Sequence, residues 1–135
     1  FVVETKNYAG WIFANARSAT WTQTIYKKKS RFQNPIRQNY YHKCALANLL
    51  GLPKEYIIGV VVFTGQCEFK TDMPNGVVYS RCAADYIKSF SVEVFKSKEV
   101  SIIADAIKEW DASASIAQRT AHIANLRKRH SKHYI

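Results

Sequence analysis

A carboxylate and an amine, Glu4 and Lys6, close the apolar run Phe1-Val2-Val3. The run is rich in β-branched residues and reads as a buried strand. Strand side chains alternate between faces, so Glu4 and Lys6 share one face and Thr5 points the other way. A charge taken out of water is costly unless it is paired or bound to a metal. The two residues are therefore either a structural ion pair or the working end of a site. Exposed ion pairs contribute little to stability, so the surrounding chain has to decide.

Charge is the next signal. The 135 residues carry a net charge of +10. Residues 1–48 hold eight Lys/Arg against one acid, residues 49–111 seven against nine, and residues 112–135 five against none. Two basic ends flank a near-neutral middle, which points to a polyanionic partner, most simply nucleic acid. Lys27-Lys28-Lys29-Ser30-Arg31 is either a solvated loop or a phosphate-holding one. Arg127, Lys128 and Arg129 close a C-terminal helix, where cations also suit the helix dipole.

Length and a hydrophobic content of 47% suit a single domain, residues 1–135, with a real core. No run is long enough to span a membrane. Cys44, Cys67 and Cys82 are odd in number and lack metal-site spacing, which predicts a reducing, cytoplasmic setting. The chain opens on Phe inside an apolar strand, so a fragment is expected, with N-terminal elements missing ahead of it.

The elements that would position Glu4 and Lys6 follow in order. Trp11-Ile12-Phe13 and Thr20 to Tyr26 read as second and third strands, making with the first an antiparallel meander. Asn34-Pro35 opens a helix, with Asn as cap and Pro in the first turn. Its apolar stripe is Ile36, Tyr40, Cys44, Ala47 and Leu50, and Gly51 stops it. Gln38 lies on another stripe, in line with His42. Tyr56 to Thr64 is a continuous apolar run, the mark of a central strand buried on both faces. Strand, helix and such a strand make a βαβ crossover. Cys67 to Phe69 and Val77 to Tyr79 are short strands separated by a Met73-Pro74-Asn75-Gly76 turn. Residues 81–135 are helical: one helix from Arg81 to Ser89, one capped by Ser97, and one opened by a capping box at Ser115.

Four blocks in order resemble the nuclease-related domain, or NERD: Val3 to Ile12 around Glu4-Thr5-Lys6, Trp21-Thr22-Gln23, Phe32 to Asn39, and Val61-Val62-Phe63-Thr64-Gly65. They span roughly residues 1–70, within an α/β core expected over residues 1–80. The family is similar to the PD-(D/E)xK restriction-endonuclease-like superfamily. The resemblance implies an α/β fold with a central mixed β-sheet flanked by helices, here with a helical C-terminal part.

It also implies Mg²⁺-dependent phosphodiester hydrolysis of nucleic acid, DNA favoured, with Mn²⁺ as a substitute ion. Mg²⁺ takes hard oxygen ligands, and Glu4 and the Thr5 carbonyl are expected to supply two. Lys6 would position or deprotonate the attacking water and offset phosphate charge. Gln38 would orient that water or a phosphate oxygen. Lys27, Lys28, Lys29, Arg31, Arg37, Arg127, Lys128 and Arg129 are the expected nucleic-acid contacts.

The pattern departs from the family at one place: the acidic ligand of the preceding strand is not in this sequence. A single carboxylate predicts weak ion binding and low activity. The alternative is a non-catalytic nucleic-acid-binding or regulatory module that keeps the nuclease fold. An uncovered strand also predicts self-association, or dependence on a missing N-terminal segment.

Overall fold

A computed structural model describes residues 1–113. The chain divides into two compact units, 1–92 and 93–135.

The first unit is built on one long parallel pairing. Strand β1 (Val2–Asn7) runs beside β5 (Gly59–Thr64), in register from Val2 opposite Gly59 to Asn7 opposite Thr64. After a bend, β2 (Gly10–Phe13) continues the first path and β6 (Cys67–Phe69) the second, again parallel. Backbone bonds Tyr8 N to Thr64 O and Gly10 N to Gln66 O carry the pairing across the bend. Strand β7 (Val77–Tyr79) extends the first half as β1-β5-β7. Strands β3 (Thr20–Ile25) and β4 (Lys28–Gln33) extend the second as β4-β3-β2-β6. The result is an α/β fold with mixed strand pairing.

Glycine sets the bend. Gly10 and Gly65 have φ of 79° and 84°, a region open to glycine at little cost. A Cβ on Gly10 would lie 2.4 Å from the Thr24 carbonyl oxygen, and one on Gly65 2.6 Å from the Tyr8 carbonyl oxygen. Gln23 Nε2 donates to the Ala9 carbonyl at 2.7 Å, holding the turn from the neighbouring strand.

Helix α1 (Pro35–Leu50) returns the chain from β4 to β5. Asn34 is its cap: Oδ1 accepts from Ile36 N at 2.9 Å, and Nδ2 donates to the carbonyls of Ser18 and Ala16. Gly51, at φ 62°, ends it. A single 3-10 turn, Lys54–Tyr56, leads into β5. Helix α2 (Ser80–Lys88) packs on β7 and β5. The core lies where the bent halves meet: Ile12, Trp21, Val61, Phe63 and Val77, with Tyr8, Phe32 and Phe69 packed against them. Phe63 stacks on Trp21, and Phe69 meets it edge-on.

In the second unit, residues 97–113 are helical (α3). Glu99 reaches back to accept from Lys96 N at 2.8 Å, half of a capping box. Lys96, not Ser97, therefore sits at the cap. The capping box at Ser115 lies outside the described residues, as do Arg127, Lys128 and Arg129.

Four expectations change. The run around Lys27–Arg31 is not a loop: Lys28–Gln33 is an edge strand. The meander is β2-β3-β4, because β1 pairs with β5 instead of β2. Among the described residues β1 is the edge of the three-stranded half, not a buried strand, and Val3 is half exposed. In α1 Asn39 is buried beside Pro35 and Ala47, while Tyr40 of the expected stripe is exposed. Asn39 Nδ2 donates to the carbonyls of Val2 and Val60, and Gly59 leaves room for it.

Candidate active site

Strand β1 alternates covered and open side chains. Val2, Glu4 and Lys6 face α1, while Val3, Thr5 and Asn7 face out. Asn39 pins α1 over this face through the Val2 carbonyl. The same helix then brings Gln38 and His42, one turn apart, to the E-x-K side chains.

The contacts form a short chain. Lys6 Nζ lies 2.9 Å from Glu4 Oε1 and donates to Gln38 Oε1 at 2.7 Å. His42 Nε2 lies 3.5 Å from Glu4 Oε2. The Glu4 and Lys6 side chains are only 14% and 16% exposed, so their attraction is less screened than that of a surface pair. His42 is the residue that sequence reasoning did not assign. Its place one turn after Gln38 was the available signal.

Thr5 contributes differently. The Val2 and Tyr8 amides bond the Ile58 and Thr64 carbonyls, so even-numbered residues of β1 direct backbone groups toward β5. Val3, Thr5 and Asn7 direct theirs to the opposite edge. Among the described residues no strand pairs there, so the Thr5 carbonyl stands outside the ladder.

These donors fit part of the shell of a hard divalent ion. Such an ion takes one or two carboxylates and completes itself with water and substrate phosphate. Glu4 offers one carboxylate and Thr5 one carbonyl. Among the described residues no three His, Cys, Asp or Glu side chains gather as a larger cage. Glu68 pairs with Lys70 on β6 and is largely exposed.

Among the described residues the basic candidates do not converge. Register puts Lys29 and Arg31 on the outer face of β4, with Thr24 and Thr22. Lys28 leaves on the other face beside Ile25, and Lys27 lies in the turn before β4. Arg37 is in the first turn of α1, where its guanidinium donates to the Arg17 carbonyl at 2.6 Å. No described helix is long and apolar enough to cross a membrane.

An α/β core with an E-x-K strand beneath the helix of a βαβ unit is consistent with a nuclease-like fold. Comparison with known proteins agrees: residues 1–64 match the nuclease-related domain family. The family suggests a nuclease-related function, interaction with nucleic acid and divalent-metal dependence. A Bacillus anthracis protein described as uncharacterized is 49% identical over 72 residues. The match covers 52% of this chain and 32% of that relative, so the chain spans about a third of the relative's length. No solved structure matches.

Proposed function

We propose that the protein hydrolyses phosphodiester bonds of nucleic acid, DNA in preference, with Mg²⁺ or Mn²⁺ held by Glu4 and the Thr5 carbonyl. One observation carries the reading: Lys6 Nζ sits between Glu4 Oε1 and Gln38 Oε1 on the partly buried face of the E-x-K strand. The ion, when bound, polarises the phosphate and activates a water. Lys6 holds that water against the phosphorus and offsets charge building on the phosphate. Gln38 fixes the direction of the Lys6 ammonium and, on releasing it, orients a phosphate oxygen. His42 faces the outer Glu4 oxygen and holds that carboxylate in place.

A second reading is favoured by the same site. With one carboxylate engaged by Lys6, the domain serves as a non-catalytic nucleic-acid-binding module. Incubation of supercoiled plasmid and of labelled RNA with Mg²⁺, Mn²⁺ or EDTA separates the readings. Cleavage that needs the ion and disappears in Lys6→Ala supports hydrolysis. Ion-independent binding without cleavage supports the module.

A further inference from the structure

The half-sheet β4-β3-β2-β6 has two unlike faces. Ile12, Trp21 and Phe32 point into the core. The other face carries two cross-strand rows, read directly from the pairings. One is Glu68, Trp11, Thr24 and Lys29. The next is Phe13, Thr22 and Arg31. Within residues 1–92, β2, β3, β4 and β6 make their main contacts with one another.

Aromatic rings lie along β2 and cations along β4, with the Thr22 and Thr24 row of β3 between them. Trp11 is 48% exposed. Lys70 Nζ lies 4.7 Å from its ring centroid and also pairs with Glu68, offsetting the one acid present. A hollow of about 450 Å³ opens between Phe13, Thr24, Lys29 and Arg31. A second, of about 350 Å³, lies between Trp11, Thr24 and Tyr26. Thr24 is common to both, and its hydroxyl has no hydrogen-bond partner. A buried hydroxyl without a partner is costly.

We infer that this outer face is a platform for single-stranded nucleic acid. Unpaired bases stack on Trp11 and Phe13, and the flanking phosphates lie on Lys29 and Arg31. Stacking with a basic border is how sequence-tolerant single-strand binders work. A duplex keeps its base faces inside the stack, so it has nothing to offer the rings. The inference rests on the nucleic-acid partner proposed above and names its form, while using residues outside the E-x-K site.

The test is anisotropy of a short labelled oligothymidine and of a labelled duplex, each titrated with the full chain. Trp11→Ala is expected to weaken oligothymidine binding by roughly 5- to 150-fold, the value of one stacked base, and to leave duplex binding unchanged. Trp11→Phe, which keeps a ring, is expected to retain most affinity and guards against misfolding as the cause. Oligothymidine should also quench tryptophan emission in the wild type and not in Trp11→Phe. Unchanged oligothymidine binding in Trp11→Ala, or an equal loss on the duplex, overturns the platform and leaves the hydrolysis reading standing. Ring-dependent binding without ion-dependent cleavage does the reverse.

Discussion

Replacing Asn34 with alanine should loosen α1 and with it the Gln38–Lys6 contact. Asn34 is fully buried and satisfies three backbone groups: the Ile36 amide and the carbonyls of Ser18 and Ala16. Losing the cap costs about 1 kcal/mol. Leaving two carbonyls without their shared donor adds about 1 kcal/mol each, with the Ala16 bond at 3.3 Å the weaker. The expected loss is about 3 kcal/mol, or roughly 12 °C in Tm at this chain length. Asn34→Ser keeps an oxygen for the Ile36 amide but loses the donor, so about 2 kcal/mol is expected. Urea denaturation followed by far-UV circular dichroism measures both. A loss under about 1 kcal/mol in Asn34→Ala would refute the reasoning, because cap and clamp together could not then be holding the helix.

Other perturbations have equally defined outcomes. Gly65→Ala forces a Cβ to 2.6 Å from the Tyr8 carbonyl oxygen at φ 84°; a loss of about 2 kcal/mol or more is expected on thermal melting, and wild-type stability would show that the bend can relax. Reversing charge at Lys27, Lys28 and Lys29 should weaken binding of unrelated sequences alike and flatten the salt slope by about 0.7–0.9 per lost phosphate contact; an unchanged slope would assign the run to solvation. Burial pushes the Cys67 thiol up, so its thiolate forms at higher pH than that of an ordinary cysteine. Iodoacetamide at mildly alkaline pH should therefore label exposed Cys82 first and Cys67 late, with peptide mass spectrometry reading the order; early Cys67 labelling would contradict it.

The parts legible in the sequence were those whose signals are local. Asn34-Pro35 and Gly51 marked the ends of α1 to the residue, since caps act on the neighbouring backbone. Val60 to Phe63 announced a doubly covered strand through unbroken hydrophobicity. The shared face of Glu4 and Lys6 followed from strand alternation, and the place of Gln38 beside them from spacing together with the family resemblance. What stayed hidden depends on partners distant in sequence. Strand β4 looked like a loop because an edge strand tolerates lysines along its length. The continuous β1–β2 path was hidden because Gly10 reads as a stop, whereas here it turns a strand that keeps its neighbour. Asn39 was hidden because a buried amide makes sense only beside the Val2 and Val60 carbonyls it bonds.

The most direct test of Glu4 and Lys6 as the reacting centre is single-turnover nicking of supercoiled plasmid in Mn²⁺ by the wild type, Glu4→Gln and Lys6→Ala. Slow nicking is expected from the wild type, because one carboxylate places the ion loosely. That nicking should vanish in EDTA and in both variants. Nicking that survives Glu4→Gln or EDTA, or tight binding with no cleavage in either Mg²⁺ or Mn²⁺, would contradict the assignment.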